Sequence, residues 1–120
     1  MANQQGCLDG AFAITGFTLR DPDVTQQSRG DLYYSPACKA MWGDFTVYET
    51  YSPLFPQLWT QPEYGGVNQL AASTTMYGPG NFTTAMVDWQ QSVKFCASHN
   101  GVDPDMDWDS QGYNACTGWR

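Results

Sequence analysis

Four cysteines, Cys7, Cys38, Cys96 and Cys116, constrain this chain more than any other feature. None falls in a Cys-x-x-Cys pair, and His99 is the single histidine, so neither a paired-ligand zinc site nor a thioredoxin-like redox motif is present. An even number of widely spaced cysteines in a small chain reads as two structural disulfides, and therefore as an oxidising compartment. Four cysteines allow three pairings. Short loops favour Cys7 with Cys38 and Cys96 with Cys116, each closing a loop at its own end of the chain and each stabilising the fold by about 3 kcal/mol in the chain-entropy picture. The protein is accordingly expected to be secreted and extracellular. Its first residues, Met1-Ala2-Asn3-Gln4-Gln5-Gly6, lack a basic region followed by an apolar run, so they read as a start methionine on a mature form. Residues 1–6 are expected as a flexible segment ahead of the first cysteine. Asn81-Phe82-Thr83 is a glycosylation sequon, of consequence only in a eukaryotic secretory pathway.

At 120 residues the chain suffices for one core, so residues 1–120 are read as a single domain. Aromatics make up 15% of it and charged residues only 14%, which excludes a disordered, solvating chain. No run approaches the roughly eighteen apolar residues of a membrane-spanning helix, so no membrane insertion is expected. Ten Asp and two Glu against two Lys and three Arg give a net charge of −7. That balance leaves no basic footprint for nucleic acid and disfavours an anionic membrane surface.

Helix-forming runs do not occur, and Gly or Pro interrupts the chain every ten residues or so. Short β-branched and aromatic runs recur instead, at 11–19, 31–35, 41–51, 57–61, 67–76, 82–89 and 92–98. Residues 20–30 read as a loop, and Ser52-Pro53, Gln61-Pro62, Gly65-Gly66 and Gly78-Pro79-Gly80 as turns. Residues 88–95 also suit a short helical turn, because Trp89, Val93 and Phe95 do not settle the period. Residues 99–115 read as irregular, and 116–120 as a last short strand. The expected fold is all-β: a small, disulfide-stabilised antiparallel sandwich or barrel of about seven strands.

No catalytic constellation stands out. His99 lies in the turn-like Ser98-His99-Asn100-Gly101, no Gly-x-Ser-x-Gly elbow exists, and bridged cysteines leave no thiolate nucleophile. Carboxylates are plentiful, but nothing in the sequence sets two of them across a cleft. No cofactor is expected, with one candidate exception. Asp103, Asp105, Asp107 and Asp109 alternate, as calcium-loop ligands do at the start of an EF-type loop. Trp108 stands where that loop needs Gly and Asn114 where it needs Glu, so a solvated acidic loop is the plainer reading. Among the aromatics, Trp42, Trp59 and Trp89 lie in strand-like runs and read as core. Tyr64 beside Gly65-Gly66, Trp108 in the acidic loop, and Tyr113 are the candidate exposed binding residues.

Three segments together carry a family resemblance: Gly6-Cys7-Leu8-Asp9-Gly10-Ala11; then residues 30–42 with Tyr34-Ser35-Pro36-Ala37-Cys38 and Trp42; then Ala85-Met86-Val87-Asp88 leading through Cys96 to Cys116-Thr117-Gly118-Trp119-Arg120. They resemble the small secreted actinobacterial domains of the domain-of-unknown-function family numbered twenty-six ninety. Where that family often has a basic residue before the tyrosine, this chain has Tyr33. The resemblance implies export, disulfides and a β-rich fold, and it carries no activity. Read from its residues, Pro36 ends a strand and Cys38 reaches back to Cys7, making a fold-defining corner over which Trp42 can pack. The leading functional expectation is a non-enzymatic secreted domain that binds another protein, as an adaptor in a larger extracellular assembly, with residues 1–6 as one docking element. The alternatives are a carbohydrate-binding module using exposed aromatics, with or without calcium, and a small hydrolase or hydrolase inhibitor.

Overall fold

Alternation of apolar and polar residues, one side chain to each face, turns this sequence into strands that share a buried seam. The computed structural model describes residues 6–21, 23–61, 68–88, 90–99 and 114–120. The strands are β1 (Phe12–Leu19), β2 (Ser28–Ser35), β3 (Ala40–Val47), β4 (Phe55–Gln61), β5 (Gln69–Ser73), β6 (Gly80–Thr83), β7 (Val87–Asp88), β8 (Ser92–Ser98) and β9 (Asn114–Cys116). They form two antiparallel sheets, one ordered β1-β2-β3-β6 with β7 also on β3, the other ordered β5-β4-β8-β9. The fold is all-β, with no helix among the described residues, and hence none there long and apolar enough to cross a membrane.

The inner faces of both sheets build one core. Phe17, Leu19, Leu32, Met41, Phe45 and Val47 come from the first sheet, and Leu58, Val93, Phe95, Ala97 and Ala115 from the second. Three phenylalanines join them: Phe17 stacks on Phe45 at 6.1 Å and tilts against Phe95, across the sheets, at 5.7 Å. Glycine makes room for these rings. A Cβ built on Gly43 would lie 2.6 Å from the Phe95 ring, and one on Gly30 would overlap the Phe17 ring.

Nine described strands replace the seven runs read from sequence, for local reasons. The run at 82–89 divides into β6 and β7, both paired to β3. At the break, the buried Thr84 hydroxyl accepts from Gly43 N at 3.0 Å, and Thr84 N donates to Gly43 O at 2.9 Å. A side chain thus substitutes for the ladder, and among the described residues no buried side-chain nitrogen or oxygen is left without a hydrogen-bond partner. Gln91 N donates to Asp88 O at 3.1 Å, and residues 92–95 belong to strand β8 instead of a helical turn. Strand β2 starts at Ser28, inside the expected loop, because Ser28 pairs with Leu19. The last strand ends at Cys116. The tail still follows β8, through Thr117 N to Phe95 O and a reciprocal pair between Arg120 and Val93.

Cys7 is bridged to Cys38 and Cys96 to Cys116, the pairing that loop length favours. Cys96 and Cys116 are register partners on β8 and β9. The Tyr34-Ser35-Pro36-Ala37-Cys38 corner is a structural knot. The buried Ser35 hydroxyl donates to Cys7 O at 2.5 Å and accepts from Cys38 N at 3.1 Å, tying together both halves of the first bridge. Trp42 packs on Tyr33 beside this corner, with ring centroids 5.6 Å apart.

Gly43→Ala is expected to lower unfolding free energy by about 2 kcal/mol through overpacking against Phe95. Gly78→Ala, where a new Cβ would meet nothing within 4 Å, is expected to be near neutral; denaturant melts of the two side by side check this. Replacing Cys96 and Cys116 together by Ser should cost about 3 kcal/mol in the same assay. Reductant should then produce a smaller further loss than in the parent, since only one bridge remains.

Candidate functional site

Strand register gathers three connections at one end of the molecule. Leu19 pairs with Ser28, Arg29 with Thr46, and Val47 with Gly80. The connections 20–27, 48–54 and 74–79 therefore leave the sheets on the same side. Each is tied down. Gln27 closes the first: its Oε1 accepts from Asp21 N at 2.5 Å, while its Nε2 donates to Asp21 O and Val24 O. Leu54 and Met76 exchange both backbone hydrogen bonds, at 2.9 and 2.8 Å, joining the second connection to the third. Glu49 joins the second to the first, accepting from Thr25 N at 3.0 Å through Oε1 and from the Tyr51 hydroxyl at 2.8 Å through Oε2.

These tied loops present aromatic surface to solvent. Tyr48, Tyr51 and Tyr77 are 51%, 73% and 78% exposed. Three large exposed rings on two mutually braced loops, over a rigid core, are an arrangement suited to binding. The hydrogen bond from Thr25 N, and after it that from Tyr51, holds the Glu49 carboxyl below its usual range. The Tyr51 phenol is raised chiefly by its bond to Glu49 and by the charge of that carboxylate, with Asp23 and Asp21 adding smaller repulsions.

Other surfaces offer less. On the outer face of the first sheet, Asp31 and Asp44 are register partners, and Arg29 pairs with Asp31 at 3.1 Å. The Asn81 amide donates to the Asp44 carboxylate and, at 3.0 Å, to Thr46 Oγ1, so the sequon asparagine is a strand residue in a polar network. Burial first, then the Asp31 and Asp44 charges, raises the Tyr33 phenol. Near the opposite end an open groove of about 440 Å³ is lined in part by Lys39, Met86, Val87 and Asp88, with no aromatic among its described lining.

Every candidate exposed residue read from sequence (Tyr64, Trp108 and Tyr113) lies outside the described residues, as do Asp103, Asp105, Asp107 and Asp109, Trp89, and residues 1–5 of the N-terminal segment. Among the described residues, no group of three or more His, Cys, Asp or Glu is placed to share a metal ion. His99 turns Nε2 to the Arg20 carbonyl at 2.9 Å. Trp42 and Trp59 are buried, at 4% and 5% exposure, but on the sheet faces turned away from the phenylalanine core. There Trp59 Nε1 donates to Gln57 Oε1 at 2.9 Å. The tyrosine end was not singled out from sequence, yet its signal was present: Tyr51 precedes Ser52-Pro53 and Tyr77 precedes Gly78-Pro79, just as Tyr64 precedes Gly65-Gly66.

Comparison with known proteins adds no family: no family model, curated protein or solved structure matches the chain. The tyrosine end is the candidate site on geometry alone.

The Glu49–Tyr51 bond makes a pH prediction. A carboxyl whose folded pKa is depressed stabilises the fold above its unfolded value, and that contribution is lost as pH falls through the folded pKa. Glu49 should therefore titrate at lower pH than an unbonded glutamate, followed by carboxyl NMR. In Tyr51→Phe it should move only part of the way back, because the larger cause, the Thr25 N–H bond, is kept.

Proposed function

We propose that this protein is a secreted, non-enzymatic binding domain that engages another protein through its tyrosine end. One observation carries the reading: three exposed tyrosines on connections braced to each other and mounted on a disulfide-stapled scaffold. Exposed tyrosines offer large amphipathic contact area at low entropic cost, which is why they concentrate in binding loops and interface hot spots. Two disulfides are the mark of an oxidising or extracellular environment, and secretion is the further step. Membership of the twenty-six ninety family and an adaptor's place in a larger extracellular assembly belong to the same proposal, supported by the cysteine-flanked motifs.

Exposed rings also suit sugar, which makes carbohydrate binding the second reading. The balance favours protein because the exposed rings sit on loops. The stacked pair on a sheet face, Tyr33 with Trp42, has its tryptophan buried. The described residues carry no observation that favours a hydrolase or an inhibitor of one.

The test is capture from native culture fluid, comparing the parent protein with a variant carrying Tyr51→Ala and Tyr77→Ala. Retention of a stoichiometric protein partner should fall at least about tenfold in the variant, as hot-spot truncation does. Undiminished capture by the variant would remove the tyrosine end as the contact surface. Glycan-array binding by the parent that is lost in the variant would turn the reading to carbohydrate.

A further inference from the structure

We propose that the tyrosine end recognises a cationic protein surface, with an arginine side chain of the partner seated on the Tyr51 ring against the Glu49 carboxylate. This deepens the binding reading and rests on it: it names the chemistry of the partner. The Tyr51 hydroxyl is committed to Glu49, so Tyr51 offers its ring rather than its hydroxyl, and that ring is largely exposed. Glu49 is held by donors from two different connections, so its position is set before any partner arrives. Oε1 accepts from Thr25 N and Oε2 from the Tyr51 hydroxyl, with the Gln26 backbone N–H as a weaker third donor, and a carboxylate with about four lone-pair sites keeps room for a further donor.

Charge decides the partner's sign. The described residues of 20–27, 48–54 and 74–79 include Asp21, Asp23 and Glu49 but only one cation, Arg20. Among the described residues neither Glu49 nor Asp23 is in an ion pair. The chain as a whole carries −7, so its field also draws a basic partner. Arginine suits the site better than lysine. Its planar guanidinium lies flat on an aromatic ring and still presents a fork of donors to a carboxylate beside it, whereas an ammonium is a strongly hydrated point charge.

The test titrates the ¹⁵N-labelled full-length protein with an arginine–glycine repeat peptide and, separately, with a lysine–glycine repeat of equal charge. Shifts should concentrate at residues 48–51 and 77, and the arginine peptide should bind several-fold tighter. Glu49→Gln and Tyr51→Leu should each weaken it roughly tenfold, while Asp31→Asn on the outer face of the first sheet should leave it unchanged. Shifts spread over all carboxylates, Asp31 and Asp88 included, or equal affinity for both peptides with no loss in Glu49→Gln, would overturn the proposal. Partner capture from native culture fluid separates this inference from the reading beneath it. Capture lost with the tyrosines but indifferent to Glu49→Gln and to added salt keeps the docking surface and rejects the cationic partner. Capture that survives loss of the tyrosines rejects both.

Discussion

The two sheets can approach closely because ring and glycine face each other across the interface. Phe95 of the second sheet lies where a Cβ on Gly43 would have to be, and within the first sheet Phe17 covers its register partner Gly30. Both glycines sit at inward-facing strand positions, where glycine ordinarily weakens a strand by leaving nothing to pack. Here the space they leave is filled by a phenylalanine, from the facing sheet at Gly43 and from the adjacent strand at Gly30, so the weakness becomes close packing. Strand register within the first sheet then brings the strand ends level, and the connections that carry the tyrosines leave at one end.

The disulfides act on the periphery of that core. One fastens the start of the chain to the β2–β3 corner, with Ser35 bonded to both halves of the bridge. The other links register partners on β8 and β9, drawing the last strand onto the sheet. A chain this small buries a limited share of its surface, so covalent closure supplements what the hydrophobic seam provides. With the scaffold rigid, the loops can afford exposed rings, and the Glu49 and Gln27 bonds hold the loops in place.

Much of the fold was legible. Strand β8 (Ser92–Ser98) coincides with the run read at 92–98, and the alternation of Val93, Phe95 and Ala97 into the core decides for strand over the helical turn that 88–95 also suited. Strand β3 was legible in kind but ran too far. Beyond Val47 its pairing partner ends at Gly80, and Tyr48 is released to solvent. The single run at 82–89 was read as unbroken because a threonine hydroxyl that replaces a ladder bond leaves no trace in the pattern of apolar residues. Trp42 and Trp59 were read as core and are buried; what the sequence left open is that they lie on the sheet faces opposite the phenylalanine cluster, since a period of two gives alternation without saying which face is inside.

By itself the sequence determined the all-β class and the oxidising environment, since strand period, turn residues and cysteine spacing are local and composition-bound. Cysteine spacing favoured one disulfide pairing of the three. The tertiary structure alone decided which tyrosines are displayed. Tyr48, Tyr51 and Tyr77 lie at one end of the molecule because register aligns β3 with β6, and the Leu54–Met76 and Glu49 bonds brace segments far apart in the chain. Exposure and juxtaposition depend on what covers a residue and what faces it, and both are set by contacts between distant parts of the chain.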